Sequence, residues 1–244
     1  MAFPTIPTVA AGRVLTATDT AGGATKTFPS LTGLTKNAGD LLIAICIEYD
    51  GNSTNAEFSA WGASFLEFAD FAGTATMAIG CAYKFSSGSE TGTFTVTTAD
   101  SSTNDSAFFL LSIAGAHATT PPESGGFATG TTTAADPTSL NPTGWDAEDT
   151  LWIAVGGSGE TGTGGSFTGI TAAPTNYTDY VDSGISADVV GGVEGAVGFR
   201  QLNAASEDAG AFSTDVSNAR SSALLLAVRP VLAAAPFVPR VVLY

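Results

Sequence analysis

Glu48 and Asp50 stand two apart on an apolar, strand-like segment, a spacing that puts both carboxylates on one face. Retaining glycoside hydrolysis needs two such groups about 5–5.5 Å apart. A further acid at the third position of that pattern is missing, since Ser53 stands there and Asp50 opens a turn. A serine triad would have to use His117, the one histidine, which follows an apolar strand and precedes a proline-rich stretch. That single imidazole also excludes a metal cage built on histidines. Gly156-Gly157-Ser158-Gly159-Glu160 lacks the last glycine of a nucleophile elbow, and Gly22-Gly23-Ala24-Thr25-Lys26-Thr27 lacks the glycine before the lysine of a phosphate loop. No catalytic residue is therefore assigned, and the chain is expected not to be an enzyme.

Two weaker chemistries remain. Asp100 to Asp105 (DSSTND) and Asp146 to Asp149 (DAED) offer hard oxygen ligands, so calcium is a possible cofactor, although neither follows a known calcium loop. Turn and cap chemistry accounts for the same residues. Trp61 and Trp145 lie in loop-like stretches and are the candidates for glycan contact, whereas Trp152 sits inside an apolar strand and is expected in the core.

The elements that would position these groups read as β throughout. Apolar and hydroxyl residues alternate, as in Phe94-Thr95-Val96-Thr97-Thr98, and Gly, Asn, Asp and Ser clusters separate the runs. Strands are expected near 13–18, 24–28, 41–49, 65–70, 75–85, 93–98, 107–114, 150–156, 177–182, 193–202, 210–216 and 222–229. Part of this pattern occurs twice. AYKFSSGSETGTF at 82–94 matches GFRQLNAASEDAGAF at 198–212, and SAFFLLSIAGA at 106–116 matches SSALLLAVRP at 221–230, both at an offset of 116. Asp40-Leu41-Leu42-Ile43-Ala44-Ile45 recurs as Asp149-Thr150-Leu151-Trp152-Ile153-Ala154-Val155. A repeat of this kind is architectural information. It predicts two half-repeats, about 39–117 and 148–230, within a β-sandwich spanning 12–230. The intervening 118–147 is either a crossover or a linker, and the threonines at 131–133 and Leu140 favour a crossover that lies on the body.

Composition narrows the partners. Charged residues are only 13% of the chain, and 23 acidic against 8 basic residues leave a net charge of −15. A pI near 4.1 excludes binding to a phosphate backbone, which needs clustered Lys and Arg. A surface of hydroxyls with few long charged side chains suits packing against neighbours. No basic and apolar leader opens the sequence, so synthesis in the cytoplasm without a signal peptide is expected, with no membrane insertion. Cys46 and Cys81 each lie within an apolar strand and are read as reduced core residues.

Gly39-Asp40-Leu41-Leu42-Ile43-Ala44, Ala82-Tyr83-Lys84-Phe85 with Ser89-Glu90, and Ser112-Ile113-Ala114-Gly115-Ala116 followed by Pro121-Pro122-Glu123 form an ordered pattern. Its second half is Asp149 to Val155 and Ala223-Leu224-Leu225-Leu226-Ala227-Val228-Arg229. The pattern resembles a jelly-roll-like β-sandwich module of bacteriophage virion proteins and bacterial surface proteins. Where that pattern has an aromatic-Arg pair, this chain carries Lys84 in one half and Arg200 in the other. The resemblance implies an all-β, two-sheet, jelly-roll-like sandwich built from both halves, with no catalytic residues. It also implies a structural protein of a virion (a head decoration, head-fibre or tail-associated subunit) that assembles with itself and with other virion proteins. The alternative is a carbohydrate-binding or adhesin module that recognises a host surface glycan.

Outside the repeats lie an N-terminal arm, 1–11, and a C-terminal segment, 231–244, which is either an arm or an edge strand. Both are apolar and proline-spaced, so they are expected to be extended. Phe3, Ile6, Phe237, Val238, Val241, Val242, Leu243 and Tyr244 are the expected assembly interface.

Overall fold

The computed structural model describes residues 2–20, 23–49, 58–72, 77–98, 105–130, 135–160, 169–184, 192–214 and 219–231. In the first half lie β1 (Val14–Asp19), β2 (Thr25–Thr27), β3 (Leu41–Tyr49), β4 (Phe58–Ser59), β5 (Leu66–Ala72), β6 (Met77–Phe85), β7 (Thr95–Thr98) and β8 (Asp105–Ile113). In the second lie β9 (Glu123–Ser124), β10 (Ala128–Gly130), β11 (Glu148–Glu160), β12 (Ile170–Ala172), β13 (Thr178–Asp182), β14 (Val193–Ala204), β15 (Ser213–Thr214) and β16 (Ala219–Val228). All named pairings are antiparallel, and the fold is an all-β sandwich.

The strand orders of the two large sheets correspond. One large sheet runs β1-β8-β3-β6-β5 and the other β10-β16-β11-β14-β13, so each position of the first has a counterpart in the second. Each half adds a small sheet, β2-β7-β4 in the first and β12-β15 in the second. The edge of the second large sheet comes from 118–147, where β9 and β10 both pair with β16, and Leu140 exchanges backbone hydrogen bonds with Glu207.

Alternation along the central strands sorts their side chains onto two faces. Leu41, Ile43, Ile45 and Ile47 of β3 and Leu151, Ile153 and Val155 of β11 meet in one core shared by the two large sheets. Leu42, Ala44 and Cys46 turn the other way, onto Phe28, Phe58, Phe94 and Val96 of the first small layer. Trp152 and Ala154 turn onto Ile170, Phe212 and Tyr177 in the second. Because both faces of β3, β8, β11 and β16 are covered, these strands read as unbroken apolar runs rather than as alternation.

Packing between the large sheets follows an approximate two-fold rule. β14 lies over β8 as β16 lies over β6, β14 over β3 as β11 over β6, and β3 faces β11. The register also corrects the repeat. Ile43 pairs with Tyr83 and Ile153 with Phe199, which keeps the offset of 116 between β6 and β14. In the last strands Ile43 pairs with Leu111 and Ile153 with Leu226, an offset of 115. A slip of one residue exchanges the two faces of a strand. Only the offset of 115 sends Phe109, Leu111 and Ile113, together with Leu224, Leu226 and Val228, into the shared core.

Candidate functional site

The N-terminal segment lies on the body. The Thr5 amide donates to the Ala114 carbonyl (2.8 Å), and Gln201 Nε2 donates to the Pro4 carbonyl (2.7 Å). Residues 4–5 thus join the end of β8 in the first half to β14 in the second. Pro4 and Pro7 are buried, Phe3 is half-buried, and Ile6 packs against the shared core. The last described residues arrive at the same corner. Pro230 bridges to Ala116, and the Val231 amide donates to the Gly115 carbonyl (2.9 Å). Three consecutive residues, Ala114 to Ala116, therefore receive both terminal segments. Gly115 has φ +76°, and a methyl there would stand 3.6 Å from Pro4 Cα. Val231 is 48% exposed. Phe237, Val238, Val241, Val242, Leu243 and Tyr244 lie outside the described residues.

Basic side chains are drawn inward onto the protein's own carboxylates. Arg13 pairs with Asp40 (2.9 Å), Lys84 with Glu90 (3.6 Å), Arg200 with Glu207 (2.6 Å) and Arg229 with Glu148 (2.5 Å). Lys84 and Arg200 occupy the same position in the two halves, and each reaches the acid that follows its strand. Lys36 donates to the Leu31 and Leu34 carbonyls. Arg229 grips Glu148 through Nε and Nη2, and this fork holds the Glu148 carboxyl below its usual range.

Several of the residues with potential chemistry have structural partners. Glu48 is fully buried and its Oε1 lies 3.8 Å from Lys26 Nζ, itself fully buried; Asp50 lies outside the described residues. His117 Nδ1 accepts from the Thr120 amide (3.1 Å) and the Thr119 amide (3.4 Å), so this nitrogen caps the turn into 118–147. In the DAED stretch, Glu148 is held by Arg229, and Asp149 Oδ1 accepts from Asn203 (2.7 Å). Among the described residues, no three His, Cys, Asp or Glu side chains are placed to hold a metal ion. Residues 100–104 lie outside them.

The tryptophans separate by environment. Trp152 is fully buried, and its Nε1 donates to the Leu202 carbonyl (3.3 Å). Trp145, a candidate for glycan contact from its loop-like stretch, is instead 7% exposed and lies beneath the Arg229 guanidinium, 5.6 Å from the ring centre. Trp61 keeps part of its ring in solvent, with Nε1 donating to Glu67 (2.8 Å) and the ring against Phe28 and Phe58.

Sequence reasoning missed the Lys26–Glu48 pair. Its one signal was a Lys inside a short Thr-Lys-Thr strand. Cys46 and Cys81 are free and lie on opposite faces of the first large sheet, one toward the small layer and one in the shared core. Burial pushes both thiols well above their usual pKa. Searches against family models, curated proteins and solved structures find no match to this chain.

Proposed function

We propose that the chain is a non-enzymatic structural subunit of a phage-type virion, a head decoration, head-fibre or tail-associated protein. It acts through contacts with copies of itself and with other virion proteins. The anchor residues that resemble virion modules supply the class of the reading. The observation that carries its mechanism is the convergence of both terminal segments on Ala114 to Ala116. A contact made by the apolar residues after Val231 is thereby referred to one corner, where β8 ends and the N-terminal segment crosses between the halves. The paired cations fit the same reading, because the remaining surface charge is predominantly acidic and few long basic side chains would need desolvation at a contact.

Deletion of 232–244 tests this. The shortened protein keeps its β-sheet circular dichroism and its cooperative unfolding, but its mass in solution falls from that of an oligomer to that of one chain. A shortened protein that assembles like the full chain would sink the proposal. The adhesin alternative now rests on Trp61, the glycan candidate that keeps part of its ring in solvent. Glycan-array binding lost in Trp61→Ala would favour it over the virion reading.

A further inference from the structure

Lys26 is the inward residue of β2, flanked by exposed Thr25 and Thr27, and it projects from the small sheet toward the large one. It meets Glu48 there, with Nζ 3.8 Å from Oε1 and neither side chain exposed at all. Apolar side chains pack close by. Val96 pairs with Lys26, Cys46 is the next residue inward from Glu48 on the same face, and the Phe28 and Phe108 rings pack 4.8 Å apart in the same layer. The register also places Asp19, Ser106 and Glu48 in one row across β1, β8 and β3.

Removing two opposite charges from water costs more than an exposed pair returns. A reaction that eliminates both charges relieves that cost. We propose that Lys26 and Glu48 condense into a side-chain amide that ties the small sheet to the large one. The ammonium first passes a proton to the carboxylate, giving an amine and a carboxylic acid. The Nζ lone pair then attacks Cδ, forming the N–C bond. One C–O bond breaks, and its oxygen leaves as water, carrying the two protons that nitrogen has lost. The ion pair becomes a neutral amide plus one water, so atoms and charge balance without an oxidant or cofactor. Attack requires Nζ to come within about 3–3.5 Å of Cδ, and Nζ already stands 3.8 Å from Oε1, the oxygen bonded to that carbon. Exclusion of water also protects the product from hydrolysis.

The inference does not depend on the virion reading, and its test is independent of assembly. Purified full-length protein, denatured and weighed by intact mass spectrometry, is expected to be lighter than its sequence by one water. Trypsin is expected not to cut after Lys26, and fragment spectra are expected to show the peptides bearing Lys26 and Glu48 joined. Lys26→Met is expected to restore the full sequence mass. A wild-type mass equal to the sequence mass overturns the proposal whether or not any variant folds. So does a one-water loss that persists in Lys26→Met.

Discussion

The Tyr49 ring packs against Gly159, the residue that occupies the same place in the other half. Two residues back along the same strands, Ile47 meets Gly157 in the same way. A methyl on Gly157 would stand 2.7 Å from Ile47 Cγ2 and 2.6 Å from Ser222 Oγ. Where β3 crosses β11, a strictly symmetric pair would bring Ile against Ile and Tyr against Tyr. The second half instead carries glycine at both positions and receives the two side chains of the first. Gly159→Ala is expected to cost about 1–3 kcal/mol by overpacking, and Tyr49→Ala about 3–5 kcal/mol by leaving a cavity. In the double variant the new methyl occupies space vacated by the ring, so the combined cost falls short of the sum. Urea unfolding of the four proteins checks this, and simple additivity would remove the claimed contact.

Glu90 gives a pH dependence with a definite sign. Burial works to raise its pKa, but the Ser87 amide (2.6 Å) and the Ser86 hydroxyl (2.8 Å) both donate to it and hold it at about 2. A carboxyl in the unfolded chain titrates near 4.3. The stabilisation from Glu90 is therefore complete above that pH and is lost as pH falls toward about 2. Glu90→Gln is expected to be less stable than the parent at pH 7, with the gap closing between pH 4.5 and 2. Denaturant midpoints across that range measure it, and a gap that does not change with pH would contradict the assignment.

Trp145 is expected to matter for stability. Its ring is buried under Arg229, whose guanidinium is fixed by two bonds to Glu148. Trp145→Ala should cost about 3–5 kcal/mol, and Trp61→Ala, at a partly exposed site, clearly less. Thermal or urea unfolding compares them, and equal costs would deny the difference in environment.

How much of this was legible in the sequence depends on range. The long strands carry their own signal, and β3, β8, β11 and β16 stand out as apolar runs. β4 and β12 are too short to show periodicity, and they exist because the large sheets offer them a face to cover. The offset of the last strand was misread by one because Ala107 and Ala223 are identical residues, whereas burial is decided by pairing with β3 and β11. Trp145 followed turn-forming residues, yet the end of β16 folds Arg229 over it. Lys26 and Glu48 meet only once the small sheet has closed, and no local pattern announces that contact.

The thiols supply a direct check of the layer assignment. Cys46 and Cys81 sit on adjacent strands but on opposite faces, and burial raises both pKa values. Native protein is expected to give no reaction with a thiol-specific disulfide reagent, and two thiols per chain after denaturation without reductant. Rapid labelling of either cysteine in the native state, or fewer than two thiols after unfolding, would refute this placement.

The last expectation concerns the halves themselves. Separated, each would expose the apolar face that forms the shared core, with Ile43, Ile45, Phe109 and Leu111 on one side and Ile153, Val155, Leu224 and Leu226 on the other. Self-pairing of the first half would set Ile47 and Tyr49 against their own copies, and self-pairing of the second would leave an empty slot over Gly157 and Gly159. Neither is a good homodimer, whereas the heterologous pair interlocks. Chains cut after Ala118, giving 1–118 and 119–244, are therefore expected to be insoluble or unfolded alone and to co-purify one to one when co-expressed. A first half that forms a stable folded homodimer would show that the glycines opposite Ile47 and Tyr49 do not select the partner. A glycine at 159 replaced by leucine should prevent the co-purification without changing any residue of the first half.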